Sequence, residues 1–497
     1  MYTGSTRMRR VAVLALLVLF AAVSAQSGQE PNEPQDIIGG HFPYPTALRP
    51  QVEFWKKIFA TYSRYQVVIH DTKYIDKVYK VLDFRPFLDQ EEGVDEATVL
   101  RIKERQTGQA MERIRAILLK LHHSEGDGAG LNPEEQAIWT LYRDVRDPDK
   151  FLQAADEDRL HSQSGLRERF ATGIQISRRY LKEMEEIFRS EGLPVELTRL
   201  PLVESCFNVR AYSKAAAAGI WQFIPATGRL YMRVDGVIDE RRDPLVSTWA
   251  AARLLKTNHE MLGTWPLAIT AYNHGPYGMS KAVETLGTSD IAEIIRRYRG
   301  KSFGFASKNF YPEFLAALTV EKNYQKYFGP LQMEPPLRYE QVRVTDSIPL
   351  KQVARSANSD EQQILLLNPA LQRTYVPRGY RLRVPVGTSQ QFLVRYAALQ
   401  VQDKALIQHT ALQVQEKAPV RQRVYARSKS RRPKTVLVAA KSRSPKAVYA
   451  THKVRPGQTL HKIAQQYNTT ITSLKRLNGV SNVKRLQVGQ TLRVPTS

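Results

Sequence analysis

One acid in the middle of the chain has surroundings that suit acid-base chemistry. Glu204 follows the apolar run 200–203 and precedes Cys206 and Phe207. An apolar environment disfavours the charged form of a carboxyl group and so raises its pKa. A predicted short helix over 194–205 ends at this acid, and the negative end of the helix dipole acts in the same direction. We therefore expect Glu204 to be a general acid that protonates a leaving group.

The net charge limits the kinds of partner that this chain attracts. The 497 residues carry a formal net charge of +25, and a chain of this length should contain roughly two to four domains. Such a charge favours a polyanion: a nucleic acid, an anionic lipid surface or an acidic cell-wall polymer. Cys206 is the only cysteine, which excludes an intramolecular disulfide. No base stands beside it, so we interpret it as a small buried apolar residue rather than a nucleophile.

The N-terminus has the pattern of an export signal. Three arginines within residues 7–10 precede the apolar run 11–23, and the small residues up to Ala25 fit cleavage after that position. We expect residues 1–25 to be a signal peptide and the mature protein to be periplasmic. A short uncleaved anchor helix is the alternative, but the run is shorter than the ~20 apolar residues that span a bilayer. No cysteine follows the run, so a lipoprotein is not predicted.

The periodicity of the chain predicts a mainly α-helical protein. Residues 26–48 are rich in Pro, Gly and Gln and are predicted to be a disordered leader. Residues 49–192 show apolar residues at intervals of three and four, and Asn132-Pro133 has the pattern of a helix start. Residues 193–327 are again helical. No metal-binding cluster or cofactor motif is recognisable, and neither group is expected.

Several short motifs within residues 193–327 occur in a fixed order. They are Glu204-Ser205, Phe207-Asn208, Ala211, Ser213, Gly219, Trp221-Gln222-Phe223, Pro225-Ala226-Thr227-Gly228, Asp243-Pro244, Ala271-Tyr272-Asn273 and Gly275. This ordered set resembles the catalytic domain of the lytic transglycosylase family, which shares the goose-type lysozyme fold. The resemblance implies a lysozyme-like domain that cleaves peptidoglycan. Ala216 and His274 depart from the family pattern, but neither departure removes a group that the chemistry needs.

A glycosidic bond breaks through an oxocarbenium-like transition state, which needs an acid for the leaving oxygen and a second group at the anomeric carbon. The acids that follow Glu204 lie in a charged stretch that is typical of salt-bridged turns; they are Asp235, Asp239, Glu240 and Asp243. The resemblance implies that the substrate supplies the second group. The N-acetyl carbonyl of N-acetylmuramic acid assists departure of N-acetylglucosamine, and its C6 hydroxyl then attacks C1 to form a 1,6-anhydromuramoyl end. Glu204 serves first as acid and then as base.

The same resemblance implies roles for five further residues. Ser213 and Gln222 are expected to hydrogen-bond the sugar and its N-acetyl group. Tyr272 and Asn273 are expected to orient the intermediate and the acid, and Tyr311 to close the groove. Two structural alternatives stay open, since Ser213 could cap its loop and Tyr272 could be a core residue.

The C-terminal part of the chain contains an internal repeat. Residues 339–387 and 450–496 share a strand-helix-helix-strand pattern, and both end in Leu-Arg-Val-Pro. The second copy closely resembles a lysin motif, a small βααβ module that binds glycans containing N-acetylglucosamine. The resemblance implies that its glycan-binding residues are Gly457, Gln458, Thr459 and Asn478. The first copy is divergent, and its sequence does not establish that it binds glycan.

A basic segment, residues 388–449, separates the two repeats. Its arginines and lysines have almost no acids beside them, and their mutual repulsion should keep the segment extended as a solvated linker. Electrostatic contact with an anionic wall polymer or membrane surface is the alternative. Nucleic acid is not an expected partner, because the chain has an export signal and no recognition fold is evident.

Two other functions remain open at this point. A hydrolytic muramidase would use water, with Asp243 as its second acid, and would leave a reducing muramic acid end. A non-catalytic wall-binding protein would keep its lysin motifs but should have lost the acid, whereas Glu204 and Gln222 are both present. We take the chain as a monomer.

Overall fold

The computed structural model describes residues 40–88, 94–124, 128, 130–401, 449–454, 458–467, 469, 471–478 and 489–495. The predicted signal peptide lies outside the described residues, as do residues 26–39 of the leader and 402–448 of the basic segment. Two compact units, Met1–Gln413 and Val414–Ser497, are described separately below. Helices dominate the described residues, which confirms the mainly α-helical prediction. Among them, no helix combines the length and apolar composition needed to cross a membrane.

The N-terminal region contains a small sheet in addition to the expected helices. Strand β1 (Gln66–Asp71) lies between β2 (Val78–Asp83) and β3 (Leu160–Ser164) and is antiparallel to both. The helices are α1 (Arg49–Ala60), α2 (Glu96–His123), α3 (Pro133–Leu141), α4 (Lys150–Ala154), α5 (Arg167–Ser177) and α6 (Leu181–Ser190). Helix α3 begins at Pro133 as predicted, with Asn132 capping it. The prediction for residues 49–192 named only helices, whereas the apolar β1 forms the centre of a three-stranded sheet.

The lysozyme-like region follows without a break in the core. Its helices are α7 (Leu200–Glu204), α8 (Pro225–Tyr231), α9 (Pro244–Leu262), α10 (Trp265–His274), α11 (Pro276–Leu286), α12 (Ile291–Arg297), α13 (Phe305–Lys322) and α14 (Tyr324–Phe328). Short 3-10 helices lie at Thr46–Leu48, Arg85–Phe87, Val195–Arg199 and Glu240–Arg242. Helix α13 is central, since α1, α7 and α10 all pack against it.

The hydrophobic cores do not follow the predicted domain boundary at 192/193. Helices α1, α5 and α6 share one core with the lysozyme-like helices, whereas the sheet and α2–α4 enclose a second core. The end of the predicted leader also belongs to the first core. Phe42 is buried against Trp265 and Phe314, and Leu48 is buried as well. Residues 40–48 are therefore ordered by apolar packing, and the leader prediction was wrong for them.

The first repeat has the predicted strand-helix-helix-strand order with additions. Its elements are β4 (Glu340–Arg343), β5 (Ile348–Pro349), α15 (Leu350–Ser356), α16 (Glu361–Leu367), β6 (Tyr375–Val376) and β7 (Arg381–Val384). A further helix, α17, covers residues 389–401. It buries Phe392 and Tyr396 in the core of this module. The predicted linker boundary at 388 was therefore placed too early, because these aromatic residues tie α17 to the module.

The second unit contains the expected βααβ module. Strand β8 (Tyr449–Lys453) pairs antiparallel with β9 (Thr491–Pro495), and α18 (Leu460–Gln466) and α19 (Ile471–Asn478) lie between them in the chain. Asn478 donates from its side chain to the Leu474 and Arg493 carbonyls, and Asn368 makes the same pair of bonds to Ile364 and Arg383. The two copies of the internal repeat thus share this pair of asparagine hydrogen bonds as well as their sequence pattern.

Candidate active site

Glu204 is the last residue of α7 and lies in a tight turn of the chain. The residues before it, Leu200–Leu202, are buried, while the Glu204 side chain keeps partial exposure. Cys206 and Phe207 then take left-handed conformations, with φ of 51° and 54°. Left-handed backbone is costly for residues other than glycine and often marks a functional site. The turn holds the acid at the end of an otherwise apolar helix.

The charge environment of Glu204 is that of an acid which keeps its proton. Burial raises its pKa to about 8. In the described part of the chain, no ion pair or hydrogen bond reaches its carboxyl group. Desolvation without a compensating cation favours the neutral form, which is the form required of a general acid near neutral pH.

The loop after Glu204 is closed by its own polar groups. The Ser213 amide donates to the Ala217 carbonyl oxygen at 2.9 Å, and the Ala217 amide donates to Ser213 Oγ at 3.0 Å. Gln222 has a φ of 50°, and its Nε2 donates to the Gly219 carbonyl at 2.8 Å. The Ser213 hydroxyl and the second Nε2 hydrogen of Gln222 can still donate to a ligand. Ser213 thus caps its loop, and that bond is compatible with sugar binding.

Arg241 fixes the backbone of this loop by hydrogen bonds. Arg241 Nη1 donates to the carbonyls of Ala216 and Phe223 at 2.7 and 2.9 Å. Its guanidinium is fixed in turn by Asp239, with N–O distances of 2.8 and 2.7 Å. Gly219 lies so close that a Cβ there would be 1.9 Å from the Arg241 carbonyl oxygen. The close approach of the Arg241 backbone therefore requires glycine at position 219.

The aromatic residues around the loop build its wall. Trp221 is fully buried, stacks on Phe188 and donates from its indole nitrogen to Thr248 Oγ1 at 2.9 Å. The Tyr272 hydroxyl donates to the Trp221 carbonyl at 2.8 Å. Burial, together with the nearby Glu204 carboxylate, raises the pKa of Tyr272 well above its ordinary value. Tyr272 therefore lies beside the acid as a neutral phenol and also supports the loop.

Asn273, at the end of α10, is exposed and oriented from α13. Ser307 Oγ donates to Asn273 Oδ1 at 2.9 Å. This bond leaves the Asn273 amide nitrogen available as a donor. Tyr272, which interacts electrostatically with Glu204, and Asn273 are consecutive residues at the end of α10.

Tyr311 is located elsewhere. Its side chain is fully buried in the core, and its hydroxyl donates to the Pro43 carbonyl at 2.7 Å. A fully buried side chain that is bonded to the N-terminal segment does not line an open groove. Tyr311 therefore has a structural position, and the proposed mechanism gives it no part.

A residue that the sequence analysis missed is Glu313, on α13. Its side chain is partly exposed although its neighbours Pro312 and Phe314 are buried. Burial and the nearby Glu204 carboxylate raise its pKa to about 8. The signal that identified Glu204, an acid within an apolar run, is also present in the run 310–320.

Asp243 has a structural role. Its Oδ1 accepts from the Leu245 and Val246 amides at 3.0 and 3.1 Å, which caps α9. Its Oδ2 accepts from Arg383 Nη1 at 2.6 Å, and both side chains are buried. A buried carboxylate that is ion-paired and caps a helix is poorly suited to activate a water nucleophile, and it is salt-bridged as the sequence predicted. Within the described residues, no group of three or more His, Cys, Asp or Glu side chains is arranged to hold a metal ion.

Three of the four residues predicted to bind glycan in the second unit lie within the described part of the chain, and each makes contacts inside its own module. Gly457 lies outside the described residues. Gln458 Oε1 contacts His452 Nε2 at 2.9 Å, and the Thr459 carbonyl accepts from the Ile463 amide in the first turn of α18. The Asn478 side chain binds backbone groups within its own module.

Comparison with protein families assigns these regions to known domains. Residues 182–295 match the transglycosylase SLT domain, residues 338–401 the LysM-like domain of the lytic transglycosylase MltD, and residues 452–495 the LysM domain. The chain thus has a lysozyme-like transglycosylase SLT domain followed by two LysM-type modules, which confirms the resemblance inferred from its motifs. The SLT match begins at residue 182, so α6 belongs to the domain that we had started at 193.

Three individual proteins are similar to parts of this chain. The chain is 38% identical over 148 residues to membrane-bound lytic murein transglycosylase D of Escherichia coli K12, and equally similar to the protein of that name from E. coli O6:H1. The aligned region covers 28% of this chain and 30% of each of those relatives. A putative tributyltin chloride resistance protein of an Alteromonas species is 34% identical over 109 residues, which are 22% of this chain and 53% of that protein.

Proposed function

We propose that this protein is a peptidoglycan lytic transglycosylase. The observation that carries the proposal is Glu204, an acid with a raised pKa and no countercharge, at the centre of an SLT domain. It cleaves the β-1,4 bond between N-acetylmuramic acid and N-acetylglucosamine. The identity of the domain and the charge environment of its acid support this assignment.

The proposed reaction moves one proton out and one proton back. Glu204 donates its proton to the glycosidic oxygen as the bond from C1 to that oxygen breaks, and the muramoyl N-acetyl carbonyl stabilises C1. The Glu204 carboxylate then removes the proton of the C6 hydroxyl as O6 bonds to C1. The 1,6-anhydro ring forms, Glu204 is protonated again, and no water is consumed. One carboxyl group therefore completes the cycle.

The other site residues orient this chemistry. Gln222 and Ser213 keep hydrogen-bond donors for the sugar and its N-acetyl group. Tyr272 lies beside Glu204 as a neutral phenol, and Asn273 presents its amide from the end of α10. Donors that are already fixed by the protein need little reorganisation as charge develops in the transition state.

The remaining parts of the chain are proposed to bring the enzyme to its polymer. The protein is exported by a signal peptide ending at residue 25, and the C-terminal LysM module binds glycan strands. The basic segment after α17 links that module to the catalytic unit. A tethered glycan-binding module raises the local concentration of an insoluble substrate without changing the chemistry.

The test is mass spectrometry of soluble products from purified peptidoglycan. Wild-type protein should release anhydromuropeptides that are one water lighter than hydrolysed products, and Glu204→Gln should release none. Reducing ends from the wild type would identify a muramidase instead. Absence of products from both proteins, with retention on peptidoglycan intact, would identify a non-catalytic binding protein.

A further inference from the structure

A short backbone ladder joins the first LysM-like module to the SLT domain. The Asp239 amide donates to the Ala370 carbonyl at 2.8 Å, and the Gln372 amide donates to the Val237 carbonyl at 2.9 Å. The two bonds run in opposite directions between the same two segments, which is the pattern of paired antiparallel strands. The module segment 370–372 thus extends the turn before α9 as an added strand would.

Side chains reinforce this ladder. Ile238 and Leu371 are opposite each other in it, and both are buried. Residues in such opposite positions have neighbouring side chains. Beside them, Arg373 Nε donates to the Gly236 carbonyl at 2.8 Å. Together with the buried ion pair of Asp243, these contacts fix the module on the turn.

The docked turn reaches the loop after Glu204 through one acid and one arginine. Asp239, whose amide is bonded to the module, holds the Arg241 guanidinium with its carboxylate at 2.8 and 2.7 Å. Arg241 in turn donates to the Ala216 and Phe223 carbonyls of the loop. Asp239 and Arg241 are both buried, so water competes little for these bonds. A continuous series of hydrogen bonds therefore leads from the module to the loop.

The loop needs support from outside because its backbone is strained. Ala216 and Gln222 have φ values of 62° and 50°, and such conformations persist in residues other than glycine only when the surrounding structure imposes them. Two side chains outside the loop hold its carbonyls, Arg241 from the docked turn and Tyr272 from α10. If the turn loses its own support, the loop should relax at the positions that Arg241 holds.

We propose that the first LysM-like module is a positioning element of the active site, which keeps the loop after Glu204 in its binding conformation through Asp239 and Arg241. The inference rests on the proposed function, because that function assigns Ser213 and Gln222 of this loop to the sugar. The module needs no contact with the substrate for this role. Its docking on the turn is what the active site requires.

The first test measures hydrogen exchange of the loop in the full chain, without substrate. Leu371→Ala and Arg373→Ala weaken the docking contact from the module side and leave Arg241 in place. The amides of residues 213–223 should exchange about tenfold faster in Leu371→Ala, and faster to a smaller extent in Arg373→Ala, while α13 keeps its wild-type rates. Arg378→Ala removes the same charge from another exposed position of the module and should leave the loop unchanged.

The two docking variants keep this test decisive. Arg373 is exposed, so its substitution should leave the module folded even if Leu371→Ala does not. Wild-type exchange of residues 213–223 in both variants would overturn the inference. Faster exchange that extends equally to α13 would also overturn it, because that pattern indicates general destabilisation.

The second test is the kinetics of anhydromuropeptide release, referred to the amount of folded protein. Leu371→Ala should lower kcat/KM by roughly tenfold, mainly through KM, because the loop carries the groups proposed to bind the sugar. A module that binds glycan independently would instead lose retention on peptidoglycan in Arg373→Ala, with unchanged loop exchange, and that result would overturn the inference. Faster loop exchange in a protein whose wild type releases no anhydro products would refute only the proposed function.

Discussion

Asp243 and Arg383 form a buried ion pair that joins the SLT domain to the first LysM-like module. Arg383 Nη1 and Nη2 donate to Oδ2 and Oδ1 of Asp243 at 2.6 and 3.2 Å. Around this pair, Asp239 N donates to Ala370 O at 2.8 Å and Gln372 N donates to Val237 O at 2.9 Å. The module is therefore docked on the turn before α9. That turn also carries Arg241, which donates to the Ala216 and Phe223 carbonyls of the loop after Glu204.

Removing the cation of this pair should destabilise the protein. Arg383→Met leaves the buried Asp243 carboxylate without its partner, and the free energy of unfolding should fall by about 3 kcal/mol. The matched control is Arg493→Met, since Arg493 is the equivalent residue of the second LysM module and is exposed. Urea unfolding of the full chain measures both. Equal losses from the two substitutions would contradict a special role for the Asp243 pair.

The raised pKa of Glu204 predicts how stability depends on pH. In the unfolded chain a glutamate has a pKa of about 4.3, whereas burial raises the folded value to about 8. Between these values the unfolded state releases a proton that the folded state retains, so rising pH costs stability. Glu204→Gln removes this cost and should raise the unfolding midpoint at pH 8 but hardly at pH 4. Calorimetry at both pH values measures the difference, and an equal effect at the two would argue against a protonated Glu204.

The packing of Gly219 predicts a severe effect of one added methyl group. Gly219→Ala places a Cβ against the Arg241 carbonyl and should displace the loop that carries Ser213 and Gln222, lowering kcat/KM by about 100-fold. Gly287 is the control, because it also has a positive φ, 65°, but has open space around its Cβ position. Gly287→Ala should cost about 1 kcal/mol of stability and leave kcat/KM unchanged. Similar kcat/KM values for the two variants would show that the contact does not order the loop.

The tether model predicts that binding and chemistry can be separated. A chain ending at Gln413 keeps the first compact unit and lacks the C-terminal module. It should lose most of its retention on insoluble peptidoglycan but cleave soluble glycan fragments at the wild-type rate. Co-sedimentation and product release measure the two properties. Undiminished retention would mean that the C-terminal module is not the anchor.

Much of the candidate site could be read from local patterns. An acid in an apolar run identified Glu204, and the Leu-Arg-Val-Pro endings identified the two repeats. The interpretation of Asp243 as part of a salt-bridged turn also agrees with the structure, although its partner Arg383 lies 140 positions away in the sequence. A local pattern can show that a charge needs a partner, but it cannot show which residue will be that partner.

The sequence by itself determined the class of domain, the acid and the repeat, because each depends on residue types at short spacing. Only the tertiary structure decided that β1 is the centre of a sheet, that Tyr311 hydrogen-bonds the Pro43 carbonyl, and that Arg383 is the partner of Asp243. These outcomes depend on contacts between residues far apart in the chain. Helix α13 is an example, because it packs against α1, α7 and α10, which come from three separate parts of the sequence.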